Sequence, residues 1–433
     1  MDIVREKISD GGYDKAFVRL YGKDVDITAT RQRFLDCLTG FEKAYGDKEY
    51  TGIQLFSVSG RSEFSGNHTD HNRGKVLCAS INLDVIAVAA KNDKGIISVT
   101  SEGFGTDEVD IKTVSDVVEK EKFTSSAIIR GVCDGFEKNG RNTGGYYAYT
   151  TSNVLKGSGL SSSAAFENMI GNILNHLYND GKVDNIQLAK ISQYAENVHF
   201  MKPCGLMDQL GCAVGGVIAI DFEDVKNPVV RKIDFDLDEH NLSLCIVNTG
   251  GNHADLNEDY ASVPCEMKKT ASLLGVEFLR QTSKEKLISS AVKIRSTLGD
   301  RALMRAMHFF DENVRVDEQV KALSDKNIKV FLEKVRESGI SSFTMLQNVY
   351  TSKNVHEQGL SLALALCSHV LGNDKNSAYR VHGGGFAGTI QAFVPKDMVE
   401  TLKETFEKVF GTGCVYVLNV RKYGAVCLDK IGE

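Results

Sequence analysis

The sequence lacks the features that mark membrane, secreted or nucleic-acid-binding proteins. No run of about 18 apolar residues occurs in the 433 residues, so no membrane span is predicted. The first residues, MDIVREKISDGGYDKAF, lack the apolar stretch of a signal peptide, so we expect a cytoplasmic protein. The net charge of -6 shows no basic excess, which argues against a nucleic-acid partner but leaves room for a local anion-binding loop.

Paired cysteines and flexible linkers are also missing. None of the ten cysteines forms a Cys-x-x-Cys pair, so we expect reduced, mostly buried thiols and no zinc site. The four prolines mark no linker, and no internal repeat stands out. With 42% hydrophobic and 25% charged residues the chain is typical of a globular protein, and its length suggests two or three domains.

Hydrophobic periodicity indicates an α+β fold. An apolar stripe from Phe166 to Leu177 predicts a helix that ends before Gly181, and a second helix begins near Asp184. The range 265–370 reads as mainly helical, and a domain boundary is expected within 225–240. Strands are predicted at 53–58, 76–100, 146–151, 216–222, 242–248, 389–394, 414–419 and 424–428, with a further helix at 396–409.

The sharpest local signal is the loop Leu155–Ala165, LKGSGLSSSAA, between a predicted strand and the first of these helices. Gly157 and Gly159 allow the backbone to approach a ligand, and Ser161–Ser163 open the helix. Free N–H groups and the helix dipole favour an anion there, and serine hydroxyls suit Mg²⁺. The alternative is that the serines only cap the helix. The loop is neither a Walker A motif nor a dinucleotide-binding motif.

Four segments, in this order along the chain, resemble the motifs of the GHMP small-molecule kinases, and of their galactokinase branch in particular. Gly60–Gly74, GRSEFSGNHTDHNRG, resembles the galactokinase signature Gly-Arg-x-Asn-x-Ile-Gly-Glu-His-x-Asp-Tyr. Gly157–Ala165 resembles the phosphate loop, Ala195–Gln209 the segment with the catalytic aspartate, and His382–Gly388 the third motif.

This resemblance implies a two-domain α+β fold with the active site in the cleft between the domains. We expect a βαβ-rich N-terminal domain at 1–230 and a ferredoxin-like C-terminal domain at 231–433. The implied activity is phosphorylation of a monosaccharide by ATP with Mg²⁺, with galactose converted to galactose 1-phosphate. The partners are then the sugar and ATP, and we expect a monomer or a weak homodimer.

The resemblance also assigns roles to residues of the site. Asp208 matches the catalytic aspartate and Arg61 the arginine that faces it; the alternative for this pair is a structural salt bridge. Glu196 matches a glutamate that binds Mg²⁺ with Ser162 or Ser163, the alternative being an exposed helix residue. The residues matched to phosphate contacts are Gly157, Gly159, Leu160, Ser161, Ser162, Ser163 and Ala164, and those of the third motif are Gly383, Gly384 and Gly385.

Sugar recognition matches the family less evenly. The residues at sugar-binding positions are Asn67, His68, Asp70, Gly205 and Tyr260. Four signature residues differ: Glu63, Ser65, Asn67 and His71 stand for asparagine, isoleucine, glutamate and tyrosine. The family glutamate contacts the 6-hydroxyl of galactose, whereas asparagine brings no charge. The resemblance implies galactose as the substrate, and Asn67 leaves another galacto-configured sugar such as galacturonate as the alternative. A galactokinase-like sugar sensor without turnover is the non-enzymatic alternative.

Overall fold

The computed structural model describes residues 1–155, 159–251, 256–372 and 374–431; Gly157 lies outside this part of the chain. The strands are β1 (Thr51–Ser65), β2 (Lys75–Lys91), β3 (Ile96–Ser101), β4 (Thr106–Asp110), β5 (Tyr146–Ser152), β6 (Val217–Asp221), β7 (Val229–Ile233), β8 (Leu242–Asn248), β9 (Ala378–Val381), β10 (Thr389–Pro395), β11 (Val415–Leu418) and β12 (Ala425–Cys427). The helices are α1 (Asp2–Ser9), α2 (Asp14–Tyr21), α3 (Ile27–Tyr45), α4 (Ser125–Lys138), α5 (Ser162–Tyr178), α6 (Asn185–Tyr194), α7 (Met207–Ala213), α8 (Asn257–Leu273), α9 (Lys284–Ser289), α10 (Ala291–Leu298), α11 (Asp300–Ser324), α12 (Ile328–Ser341), α13 (Gly359–Leu371) and α14 (Val399–Phe410).

The larger sheet is mixed and is built on two long strands. Its order is β12-β1-β2-β5-β3-β4, and β6 and β7 continue from β2. β2 pairs with β5 through 85–91 and with β6 through 75–79, so one strand serves two neighbours. The pairing of β1 with β2 shifts register at Ser59/Arg61 and again at Glu63/Ser65. Such bulges change the direction of side chains and are common beside functional sites. These two lie at the start of the Gly60–Gly74 segment, which is called the sugar signature below.

The smaller sheet is antiparallel, with the order β11-β8-β10-β9. Numbered along its own chain segment this is 4-1-3-2, and α14 connects the third and fourth strands, as in a ferredoxin-like domain. Helices α8 to α13 fill the connection between β8 and β9, which confirms the predicted helical range. The predicted α+β fold with a ferredoxin-like part is therefore confirmed.

Several predicted elements are reproduced closely, whereas the larger sheet takes strands from both predicted domains. The helix through Phe166 runs over Ser162–Tyr178, and the strand at 242–248 is confirmed. β7 pairs with β6 and so carries the larger sheet past residue 230, and β12 returns to pair with β1. The division at 230 stays a prediction.

The N-terminal helices form an outer layer on the larger sheet. Their buried aromatic side chains, Phe17, Phe34 and Phe41, pack with Ile86 and Val88 of β2. Burying each such side chain stabilises the fold by about 1.5–3 kcal/mol. The opposite face packs against α4 to α7, so the sheet lies between two helical layers. Across the described residues, no helix combines the length and apolar character that a membrane crossing requires.

Candidate active site

An arginine–aspartate pair lies where the sugar signature meets the serine-rich loop. Arg61 Nη2 is 2.6 Å from Asp208 Oδ1, and Arg61 Nε donates to the same oxygen at 3.0 Å. Arg61 Nη1 donates to the Gly159 carbonyl, and its backbone N–H donates to the Leu160 carbonyl at 3.1 Å. Arg61 is 6% exposed at its side chain and Asp208 is 39% exposed. The aspartate is therefore partly open to solvent, while the arginine links it to the loop.

Ser161 completes this group. Its hydroxyl donates to Asp208 Oδ2 at 2.6 Å, and its φ of 62° is left-handed, unusual for a residue with a side chain. Ser161 is the N-cap residue of α5, but its side chain makes no capping hydrogen bond. The capping alternative therefore fails for Ser161. Ser162 and Ser163 form the first turn of α5 and are partly or fully exposed, whereas Leu160 and Ala164 are buried beneath them.

The Asp208 carboxylate is stabilised in its charged form. Burial raises its pKa, but the Arg61 guanidinium and the Ser161 hydroxyl lower it more, so the pKa lies below the ordinary value. Asp208 is thus ionised at neutral pH. Such a carboxylate orients and polarises a hydroxyl, and it accepts the proton that the hydroxyl oxygen releases when that oxygen forms a new bond.

Glu196 lies on a π-helical turn, Ala195–His199, that continues α6. The residue is 3% exposed, so the alternative of an exposed helix glutamate is wrong. Its Oε1 lies 3.0 Å from Lys202 Nζ, and its Oε2 accepts from Gln209 Nε2 at 2.9 Å. Gln209 Nε2 also donates to Glu167 Oε2 at 2.9 Å, so one buried amide joins two carboxylates. π-Turns of this kind are frequent at functional sites.

The sugar signature meets the segment before Asp208 at Asp70. Asp70 Oδ1 accepts from the backbone N–H of His71 at 2.9 Å, while its Oδ2 faces Gly205. A Cβ atom at position 205 would stand 2.6 Å from Asp70 Oδ2, so a side chain there would displace the Asp70 carboxylate. Asp70 and Gly205, predicted separately from the sequence, are thereby brought together.

The signature also meets the third motif. His68 Nε2 donates to the Gly384 carbonyl at 2.9 Å, and Tyr260 donates its hydroxyl to the Gly385 carbonyl at 2.7 Å. Burial lowers the pKa of His68 to about 4, so its imidazole is neutral at pH 7. Gly385 has a φ of 79°, and a Cβ atom there would overlap the Asn348 carbonyl. Asn348 was not expected from the sequence.

Asn67 is buried beneath the contacts between the signature and the third motif. It is 1% exposed, and its Nδ2 donates to Glu63 Oε1 at 2.9 Å and to the Gly383 carbonyl at 2.7 Å. Its Oδ1 accepts from Asn348 Nδ2 at 2.7 Å. Both amide hydrogens and the oxygen are thus engaged by protein groups. Asn67 therefore links Glu63, the third motif and Asn348, and donation to a ligand by its amide N–H groups would require these bonds to break.

Glu63 carries a carboxylate where the signature has asparagine, and Asn67, four residues later, carries an amide where the signature has glutamate. Glu63 is buried, and its Oε1 lies 3.3 Å from Arg380 Nη2, which is fully buried. The family pattern has asparagine and glutamate at these two positions, and this chain has glutamate and asparagine. The pair of groups is kept with its order reversed.

Two family models and several known proteins match the segments that meet at this site. Residues 39–91 match the galactokinase galactose-binding signature and residues 127–216 the GHMP kinases N terminal domain. The galactokinase of Streptomyces coelicolor is 30% identical over 373 residues, which cover 86% of this chain and 91% of that protein. The chain belongs to the galactokinase family. A galactokinase of Actinobacillus pleuropneumoniae serotype 3 is also 30% identical, with 86% of this chain and 93% of the relative covered.

Solved structures of the wider GHMP family share the fold. Lactococcus lactis galactokinase complexed with galactose has a TM-score of 0.75 at 22% identity and covers 91% of this chain and 99% of its own. Methanococcus jannaschii mevalonate kinase has a TM-score of 0.60 at 12% identity, with 85% and 98% covered. This galactokinase-family chain is a sugar kinase, and ATP is its phosphoryl donor.

Proposed function

We propose that this chain transfers the γ-phosphoryl group of ATP to the anomeric hydroxyl of galactose. The galactokinase relatives support the substrate, since they are similar over most of the chain. The observation that carries the proposal is the Arg61–Asp208–Ser161 group, which joins the sugar signature to the start of α5. A sugar bound beside Asp70 and Gly205 would lie within reach of the same aspartate.

In this proposal each residue of the group has a defined task. Asp208 orients the sugar hydroxyl and accepts its proton, and Arg61 keeps Asp208 ionised and offsets charge on the transferred phosphoryl group. The N–H groups of the first turn of α5 bind phosphate oxygens, with Ser162 and Ser163 adding hydroxyls. The predicted contact of Gly157 lies outside the described residues.

The residues near Glu196 fit a divalent cation. The Lys202 ammonium lies 3.0 Å from Glu196 Oε1, which shows that this oxygen accepts a cation. The buried Oε1 of Glu167 has no hydrogen-bond partner among the described residues. Carboxylate and hydroxyl oxygens are the ligands Mg²⁺ prefers, so Glu196 with Ser162 or Ser163 would hold it. When bound, Mg²⁺ neutralises phosphate charge.

A cavity of about 710 Å³ next to Ser162 and Ser163 suits the nucleoside of ATP. Phe104 and Phe123 stand at its rim with 63% and 59% of their surface exposed, and Phe166 lines it from α5. Apolar lining with aromatic side chains is typical of sites for flat ring systems. We propose that adenine binds there, with its phosphates at the start of α5.

The proposed function is tested by ADP release with ATP and Mg²⁺ over a panel of galactose, N-acetylgalactosamine, galacturonate, glucuronate, arabinose and glucose. Turnover with galactose supports the proposal. Turnover with galacturonate alone would move the specificity, which Asn67 at the signature's glutamate position makes worth testing. Sugar binding without turnover would instead favour a sensor.

The pH profile of the reaction should be flat between pH 5 and 8 with respect to Asp208 and His68. The pKa of Asp208 lies below its ordinary value and that of His68 is about 4, so Asp208 is charged and His68 neutral throughout this range. Activity should fall only in more acidic solution, where His68 and Asp208 take up protons. The measurement is kcat/KM at saturating Mg²⁺. An acid limb near pH 6.5 that His68→Gln abolishes would contradict it.

Exchanging Glu63 and Asn67 should restore what either single change loses. Asn67→Glu removes both amide donors and puts a second carboxylate against Glu63, so we expect a strong loss of stability and activity. The double variant Glu63→Asn with Asn67→Glu rebuilds a carboxylate–amide pair. The free energy of unfolding of the double variant, measured in urea, should be higher by about 0.5–3 kcal/mol than the value expected if the two single effects were additive. Strict additivity would show that the two side chains do not act as a pair.

A further inference from the structure

Lys202 belongs to none of the matched roles, yet it contacts the proposed metal-binding carboxylate. It lies between the π-helical turn and Gly205. Its Nζ is 3.0 Å from Glu196 Oε1, with 57% of the lysine side chain exposed and 4% of the glutamate. The backbone N–H of Lys202 also donates to the Glu196 carbonyl at 3.1 Å. The lysine is thus anchored at its backbone, and more than half of its side chain is exposed to solvent.

Two further carboxyl groups lie near Glu196. Glu167 is held to Glu196 through the Gln209 amide, and Asp208 precedes Gln209 in the chain. Asp208 has its own counter-charge in Arg61. Within the described chain, Lys202 is the cation recorded in contact with Glu196. Without a nearby cation, the large desolvation cost of burying the Glu196 carboxylate would not be offset.

An ammonium and a divalent cation cannot both sit close to one carboxylate oxygen without strong repulsion. The Lys202 stem is long and mostly exposed, so the ammonium can move into solvent at little cost. We propose that Lys202 is a positioning residue: it holds Glu196 in place while no metal is bound, and the divalent cation displaces its ammonium. This inference rests on the proposed role of Glu196 in holding Mg²⁺.

The consequence is a competition that can be measured on the protein itself. Removing the ammonium without changing the size of the side chain should make divalent-metal binding tighter. Because partly exposed ion pairs contribute modestly, we expect the dissociation constant to fall about threefold to tenfold in Lys202→Met. Lys202→Arg keeps the charge and should bind metal no more tightly than the wild type.

The experiment titrates Mn²⁺ into the full chain saturated with a non-hydrolysable ATP analogue and follows bound metal by electron paramagnetic resonance. Lys182→Met is the matched control, because Lys182 Nζ also lies 3.0 Å from its partner, Asp180, but both side chains are largely exposed. The control should bind Mn²⁺ as the wild type does. Glu196→Gln should lose most of the binding.

Unchanged or weaker Mn²⁺ binding in Lys202→Met overturns the inference, and so does normal binding in Glu196→Gln. The result is independent of the sugar. If Lys202→Met binds Mn²⁺ more tightly but galactose is not turned over, the galactose assignment fails and the role of Lys202 stands. A competing ion pair also predicts that added salt narrows the difference between Lys202→Met and the wild type, since salt screens Lys202.

Discussion

Asp208→Asn should lower kcat by about a thousandfold while leaving the fold and galactose binding largely intact. The amide keeps an oxygen for the Arg61 guanidinium and can donate to the Ser161 hydroxyl oxygen, but it loses the charge that accepts the sugar proton. General-base contributions are about 10²–10⁴-fold, which sets the expected size. Because Asp208 is 39% exposed, solvent reaches the substituted side chain, and the fold should be retained. The measurement is kcat and KM for galactose, with binding followed by calorimetry.

Asp221→Asn is a matched control for this experiment. Asp221 Oδ2 lies 2.9 Å from Arg280 Nη2, so the control also replaces the aspartate of a partly exposed arginine pair, but away from the site. It should keep its activity. If Asp208→Asn retained more than about a tenth of wild-type kcat, Asp208 would be a structural partner of Arg61, the alternative that the sequence left open.

Sequence motifs predicted that two residues far apart in the chain would meet. Arg61 and Asp208, predicted from separate motifs, meet in the structure as expected. Glu167 was not expected, although it is on α5, four residues after Ser163. The apolar stripe of α5 suggested one buried face, but the helix is packed on several sides and buries Glu167 and Asn168 as well. Amphipathic periodicity cannot reveal such a fully enclosed helix.

Asn67 shows a second limit of sequence reasoning. Its identity and its departure from the family pattern were visible in the sequence, but its burial was not. The burial depends on Asn348, 281 residues further along the chain, and on the Gly383 carbonyl. The π-helical turn that turns Glu196 inward likewise depends on packing against α4, where Gly131 leaves no room for a Cβ atom beside Ala195. Local propensity does not encode contacts of this kind.

The sequence predicted one or two helices within residues 1–50 but no functional role for them. In the structure a buried carboxylate links them to the larger sheet. Asp84 of β2 is completely buried, and its Oδ1 lies 2.6 Å from Arg33 Nη1 of α3. Its Oδ2 accepts from the Tyr21 hydroxyl at 2.6 Å and from the Ser57 hydroxyl. Arg421 Nη1, also completely buried, lies 2.9 Å from the same oxygen. One carboxylate thus joins α2, α3, β1, β2 and the segment before β12.

Asp84→Asn should therefore destabilise the chain by about 3–5 kcal/mol at neutral pH, because it leaves the buried Arg421 guanidinium without its counter-charge. Burial raises the pKa of Asp84, but Arg33 and Arg421 lower it more, so the folded pKa lies below the unfolded one. The stabilisation is then present above the ordinary aspartate pKa and is lost as pH falls through the folded pKa. Urea unfolding should show the largest difference from wild type at pH 7 and a smaller one in acid, whereas Asp180→Asn, in an exposed pair, should change little at any pH. A difference below about 1 kcal/mol at pH 7 would mean that the N-terminal layer is held by its apolar contacts alone.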